Sequence, residues 1–534
     1  MKFKIFLLVS IFLLTLILRI YKLGEVPSGF YSDEALYGYE AYSILKTGKD
    51  QYGVQFPIVF KAFGDYRPGL FIYATVPFIG MMGLTELATR LPSALFSTLT
   101  GVIIFFLGLE LWKNFTAAIL SSFLFAISPW SLQFARMSHE TNLATFLVAT
   151  AIYLFVKGLK NGWCLIFSIL IFSVSLYAYY TTRVFVPIYI ALLFILFRDK
   201  LLGKIKFLGL GLILSIVLLL PFFKIITNRD TGWSRVEAVS LWGDKGLVAG
   251  INESHREDIL GESSFSRVFH NKIVDGGLTF VKNFFTHFEP QFLLFNGDPI
   301  KVYQTPNTGI LLMAEFILVV ITVFILQKRV NTYSILLLIW LIVGLLPDTL
   351  TRLAPAAARI HLVLPLVSLL AGFGFKHAKR KLLIVFLGIL LIFQMTYFLH
   401  QNFVHVSIRY ASDWHYGLKE TIREIDKRQS QYDYIWISRT GWGWINYLFY
   451  LKYPPKKIQK EIILSERNEF GLGWVRQFDK YTFDYFPKDF TLLEKTLFVG
   501  TPDDFSGYKM KKPLYTVYYP NKNAAFYLAD SMSF

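Results

Sequence analysis

Eleven apolar stretches, each near the length that carries a helix across a bilayer, constrain this chain more than any other feature. They lie at roughly 3–20, 87–110, 115–134, 141–157, 162–178, 184–198, 205–224, 308–326, 332–346, 360–375 and 382–399. A further apolar stretch, 71–83, is read as interfacial, and loop charge decides this. With 71–83 in the interface, one set of loops carries Lys2/Lys4, Lys113, Lys157/Lys160, the Arg198–Lys206 run, Lys328/Arg329 and the Lys376–Lys381 run. The alternate short loops hold only Arg136, Arg183, Arg352 and Arg359. The positive-inside rule then places the N-terminus in the cytoplasm and the second set outside. Counting 71–83 as a span would reverse the later loops and break that agreement.

This topology accounts for a net charge of +17 without nucleic acid, because the excess sits in cytoplasmic loops. It also accounts for a composition that is 54% hydrophobic and only 17% charged, against about 25% in globular chains. The single cysteine, Cys164, excludes an intramolecular disulfide framework and a cysteine-based zinc site. Arg19, Tyr21 and Lys22, rather than a small-residue cleavage site, follow the first apolar run, so it reads as a retained signal anchor. No glycine-containing segment has the spacing of a phosphate loop, which argues against a nucleotide-driven pump.

Two parts are expected: a membrane part, residues 1–403, with external loops at 21–86 and 225–307, and an external tail, 404–534. The tail changes in composition. Tyr432 to Ser438 alternates as a strand does, and Lys-rich helical text follows, so a small α/β domain is predicted.

The unusual polar residues gather at the external mouths of the spans. In the first loop Asp33 and Glu34 follow an aromatic turn and open a helical run. Ser32 as a helix N-cap with two acids in the first turn is the structural reading, and a reactive carboxylate at a membrane boundary is the functional one. Asp65-Tyr66-Arg67-Pro68-Gly69 precedes the interfacial stretch. Pro68 suits the first turn of a helix, which makes Asp65 its cap or a substrate ligand. Arg67, with Tyr66 beside it, is either a phosphate ligand or a side chain reaching for lipid headgroups. Arg136-Met137-Ser138-His139-Glu140 offers a His-Glu pair that could bind metal or orient a base, or a helix start capped by Ser138 with Glu140 in the first turn. His287 stands near the end of the long loop, where a lone histidine binds metal only if carboxylates converge on it. Arg352, Arg359 and His361 line the external ends of two late spans, an array suited to an anionic lipid phosphate.

These stretches together resemble a known family. The Asp-Glu first loop, the basic-Pro motif, ELATRLPSALFSTLTG (residues 86–101) and FARMSHETNL (134–143) are similar to the protein O-mannosyltransferase and aminoarabinose-transferase group. FLLFNGDP (292–299) and LPDTLTRLAPAAARIHLVLP (346–365) resemble its bacterial members with a long late loop. The resemblance covers about residues 5–400 and implies a polytopic α-helical membrane protein of the C-type glycosyltransferase fold. It implies transfer of a sugar from a polyprenyl-phosphate donor to a protein, lipid or cell-wall glycan acceptor on the external face, with inversion at the anomeric centre. In that scheme Asp33 is the base, Glu34 its support, Glu140 the second-loop acid, and Arg67 the phosphate ligand. Asp65, Tyr66, Arg136, His139 and His361 would contact substrate, with Arg352 and Arg359 on the donor phosphate. Tyr66 stands where aminoarabinose transferases carry an acid, which weakens a metal role there; His287 is the remaining candidate for a divalent cation. Ser412 to Gly417 resembles, in another order, the Trp-Trp-Asp-Tyr-Gly signature of oligosaccharyltransferases, and no Asn-linked transfer is inferred from it.

Two other classes of multi-span protein make different demands on the sequence. A flippase for lipid-linked glycans would place polar residues near the midplane of the spans. A receptor using its tail to hold a partner would leave the Asp33 and Arg67 loops without a task.

Overall fold

The computed structural model describes residues 2–63, 65–232, 239–328, 330–439, 443–466, 473, 475–487 and 495–534; Arg329 of the expected cytoplasmic set lies outside them. Helices occupy all eleven expected segments. Seven are long and apolar enough to cross a bilayer by themselves. An eighth span is bent: Phe115–Ile127 and Pro129–Ala135 meet at 55°. Pro129 explains the bend, since it has no N–H to donate and drives the preceding residue out of helical geometry. Shorter helices, Gly162–Ser175, Met313–Gln327 and Leu364–His377, fill the remaining positions. The helix Leu70–Met82 has 13 residues. At 1.5 Å per residue it reaches about 20 Å, short of a hydrocarbon core about 30 Å thick. The chain is a multi-pass membrane protein.

The described residues form two compact units. The first comprises Met1–Arg19, Leu95–Ala135 and Glu140–Phe398. Its interior is apolar (Leu124, Leu312, Leu318, Ala371, Leu387), and large apolar side chains such as Ile213, Val217 and Leu382 remain exposed. In water that exposure would mark an interface, whereas on spanning helices it is the lipid-facing surface. Arg19 is fully buried at the end of the first helix. Its guanidinium donates to Ser97 Oγ (2.9 Å), the Thr15 carbonyl (3.0 Å), Ser131 Oγ and the Ala126 carbonyl (3.3 Å). The long 225–307 loop contains helices, among them Lys245–Leu260 and Val274–Thr286. The latter leaves Leu278, Val281 and Phe285 exposed at three- and four-residue spacing, the pattern of a helix lying on a membrane surface.

The second unit comprises Ile20–Ala94, Arg136–His139 and Leu399–Phe534. Its first loop holds the helix Ser32–Thr47 and a hairpin of β1 (Val59–Ala62) and β2 (Asp65–Pro68). The expected helix start at Asp65 is therefore a strand. Asp65 pairs with Ala62 and Pro68 with Val59, so the proline ends an edge strand, where its missing N–H is tolerated.

The tail is α/β. Its strands are β3 (Tyr434–Ser438), β4 (Ile463–Leu464), β5 (Val475–Phe478), β6 (Tyr481–Asp484), β7 (Thr496–Gly500), β8 (Tyr515–Tyr518) and β9 (Ala524–Ala529). They form one sheet in the order β4-β5-β6-β3-β7-β9-β8, with β3 parallel to both β6 and β7. All five residues of β7 are buried, as expected of a central strand covered on both faces. The helices Leu418–Arg428 and Trp444–Tyr450 flank β3 in sequence.

Within this unit the tail is bonded to the first loop. Asn446 donates to the Phe30 carbonyl (2.9 Å), Tyr39 to the Tyr453 carbonyl (2.8 Å), and Gln459 to Thr47 and the Asp50 carbonyl. Lys419 and Tyr450 both contact the Glu86 carboxylate, at 2.8 and 2.6 Å. Gly29 meets Trp414 so closely that a Cβ there would fall 2.0 Å from the Trp414 carbonyl oxygen, which only glycine permits.

Candidate active site

Asp33 is the second residue of the helix Ser32–Thr47, whose N-cap is Tyr31 rather than Ser32. The end is held by Glu34, whose carboxylate accepts the Tyr31 N–H at 3.3 Å. Ser32 turns elsewhere: its hydroxyl lies 3.2 Å from His415 Nδ1. Asp33 is thereby relieved of capping. Both of its oxygens receive Arg67 Nη2, at 3.0 and 3.1 Å, and the two side chains stay about one-sixth exposed. Arg67 is fixed by the β1–β2 hairpin, opposite Phe60.

Behind this pair lies a buried frame. Glu34 is fully buried and receives Arg90 Nε (2.9 Å), Arg90 Nη2 (2.8 Å) and the Ser138 N–H (2.8 Å). The remaining Arg90 donors go to the carbonyls of Leu23, Pro27 and Gly29. All five guanidinium donors are thus used, the condition for burying such a pair without an orphaned proton. The frame ties the first loop to residues 136–139. There His139 exchanges two main-chain bonds with Ser93 Oγ, both 3.0 Å, and Arg136 donates to the Val26 carbonyl (3.0 Å) with its guanidinium 4.6 Å from the Phe403 ring. Burial, then the neighbouring Arg90, lowers Arg136 to about 9, so it stays charged at neutral pH. Asp65 is buried and accepts the Tyr66 N–H at 2.7 Å. Burial, then the Asp33 charge, raises the Tyr31 phenol to about 12.

The other predicted residues lie in the first unit. Asp348, fully buried, is the hub of two of them, His287 and Arg359. Its Oδ2 faces His287 Nε2 at 2.9 Å and accepts the Ala356 N–H at 2.7 Å. Its Oδ1 accepts Arg359 at 3.0 Å, and Arg359 also holds Thr351 Oγ1 at 2.7 Å. Arg352 is one-third exposed and 4.0 Å from Asp244, the least committed of the three donor-phosphate candidates. His361 is packed near Trp130 and Phe134, with Nδ1 2.8 Å from Thr145 Oγ1. Glu140 is buried at the start of the helix Thr141–Gly158.

The donor set does not fit a metal. His287 is engaged by Asp348, and among the described residues no group of three or more His, Cys, Asp or Glu could hold an ion.

Beside this hub Asp298 accepts the Ile300 and Ala357 N–H groups at 2.8 and 2.6 Å, and burial raises it from 3.8 to about 7. Its folded pKa therefore exceeds its unfolded one. The stability contributed by the protonated form is complete below about pH 4 and is lost as pH rises to about 7. In melts of detergent-solubilised protein, the advantage of wild type over Asp298→Asn should fall across that interval and level off above it. A difference independent of pH would remove Asp348, Arg359 and burial as the controlling environment.

Sequence reading missed Arg90, Asp348, Asp298 and His415 as site residues. Arg90, Asp348 and Asp298 stand inside the quoted family-like stretches; His415 sits in the Ser412–Gly417 element that was set aside.

A family model described as dolichyl-phosphate-mannose-protein mannosyltransferase matches residues 67–223. Among solved structures, ArnT from Cupriavidus metallidurans in the apo state is 12% identical, with 98% of each chain covered and a TM-score of 0.58. The fold is that of the C-type glycosyltransferases. ArnT from the same organism bound to undecaprenyl phosphate matches equally, at 12% identity and a TM-score of 0.57, over 98% of this chain and 97% of that one. No curated protein matches the sequence. The resemblance to the O-mannosyltransferase and aminoarabinose-transferase group holds at the level of this C-type fold. Family model and structural neighbours together indicate a glycosyltransferase.

Proposed function

We propose that this chain transfers a sugar from a polyprenyl-phosphate donor to a hydroxyl-bearing acceptor on the external face of the membrane. The observation that carries this reading is the Asp33–Arg67 pair: a carboxylate and a guanidinium, partly exposed, on a buried Glu34–Arg90 frame. Asp33 takes the proton of the acceptor hydroxyl as that oxygen attacks the anomeric carbon. The bond to the departing phosphate oxygen breaks, and Arg67 turns from Asp33 to the phosphate, matching the charge that develops there. A single displacement inverts the anomeric centre. Glu34 positions the loop; Glu140 is the second carboxylate to test. Arg352 and Arg359 are proposed for the donor phosphate, with Arg352 the freer to move. The undecaprenyl phosphate bound by ArnT and the lipid-linked sugar in the family description support the donor class. The outward placement rests on the loop charges, which put the N-terminus in the cytoplasm and the tail outside.

The test is transfer of radiolabelled sugar from polyprenyl-phosphate donors to membrane extract by the purified full chain in nanodiscs. Label should move from the lipid to a polar or polymeric product. Binding of donor without any transfer, together with its passage across vesicles, would favour a flippase instead.

A further inference from the structure

The tail contains a cavity of about 200 Å³ that the chemistry above does not use. It opens at the carboxyl ends of β3 and β7, where Ser438, Gly500 and Thr501 line it. β3 has parallel neighbours on both sides, and the carboxyl edge of such strands is where α/β sheets leave a crevice for ligands.

The lining has a distinct chemistry. Tyr447, Phe483, Tyr519 and Phe526 supply rings, and Asp504 supplies a carboxylate already steadied by the N–H and hydroxyl of Thr501, at 2.7 and 2.8 Å. Among the described lining residues none is Lys or Arg, so a phosphate or other anion finds no counter-charge. His415 lines the cavity too, and burial lowers it to about 4, leaving it neutral. Tyr447 is 1% exposed, and its phenol has no hydrogen-bond partner among the described residues. A buried hydroxyl in that state calls for a partner, and a ligand hydroxyl supplies one. Rings with dispersed hydroxyl partners and no positive charge suit a neutral polyhydroxylated ring. Pockets for drug-sized ligands run to about 300–1,000 Å³, so this one is of a size for a single ring. The cavity is also tied to the reactive loop, because His415 meets the hydroxyl of Ser32, the neighbour of Asp33.

We propose that this cavity is an acceptor subsite that holds one neutral sugar ring, so that the acceptor is itself a glycan or glycoconjugate. The inference rests on the transferase reading above and adds the class of acceptor.

Ser438→Cys in a Cys164→Ala background places one thiol in the cavity of the full chain, and benzyl methanethiosulfonate then fills the space after folding. Blocking should reduce transfer to membrane extract by about tenfold or more while labelled polyprenyl phosphate is retained as before. Methyl glycosides of glucose, mannose or galactose should slow the thiol reaction. Gly443→Phe fills the same cavity from another element, since among the described residues a Cβ there meets Leu418 alone, at ordinary contact distance. Unchanged transfer in the blocked protein overturns the proposal, and so does loss of donor retention together with transfer in both forms. If the unblocked protein transfers nothing from any donor, the transferase reading falls and the subsite falls with it.

Discussion

Asp33→Asn should lower sugar transfer by about 10²–10⁴-fold, the range by which a positioned general base accelerates such a step. The substitution keeps size and hydrogen-bonding capacity and removes the ability to take a proton as an anion. It also releases Arg67 from its ion pair with Asp33. Donor retention should therefore be unchanged or tighter while turnover collapses. That split separates a base from a loop-shaping residue, which would lose binding and turnover together. Equal transfer by the variant and wild type would remove Asp33 from the mechanism and turn attention to Glu140.

The second large effect is on stability. Arg90→Met should destabilise the protein by about 3–5 kcal/mol, because it strands a buried carboxylate. Methionine fits the stem of the arginine but leaves the Glu34 carboxylate, among the described residues, with the Tyr31 and Ser138 N–H groups alone. The three carbonyls of Leu23, Pro27 and Gly29 lose their donor as well. Adding Glu34→Leu to Arg90→Met should recover part of the loss, since no unpaired charge then remains. Melting of the purified variants in one detergent measures this. An Arg90→Met protein that melts with wild type would show that the pair contributes no net stability.

Most of the helical architecture was legible because spanning segments are set by length, apolarity and loop charge, all local properties of the chain. The tail strand at Tyr434–Ser438 was legible for the same reason, through its alternation. Asp33 and Arg67 were both singled out, but their pairing was not visible across 34 residues of sequence. The Glu34–Arg90 bond spans 56 residues and the Glu34–Ser138 bond 104. No periodicity or propensity reports such distances. Two local readings failed for identifiable reasons. Ser32 has the chemistry of a cap, but Glu34 performs that task from within the helix and Ser32 is drawn to His415. Pro68 suits a helix start, yet Val59–Ala62 supplies a strand for Asp65–Pro68 to pair with, and pairing prevailed.

The bonds between Phe30 and Asn446, and between Ser32 and His415, set an order on biosynthesis. The segment bearing Asp33 leaves the ribosome among the first, whereas Asn446 and His415 follow about four hundred residues later. At 5–20 residues per second, that interval is on the order of tens of seconds. Throughout it the loop waits at the membrane without the backbone acceptor at Phe30 satisfied and without Trp414 against Gly29. The spans can insert in sequence, but the helix start that bears Asp33 gains its partners at Phe30 and Ser32 from the last quarter of the polypeptide. On the proposed function, a nascent or prematurely terminated chain would lack the contacts that seat the loop bearing Asp33.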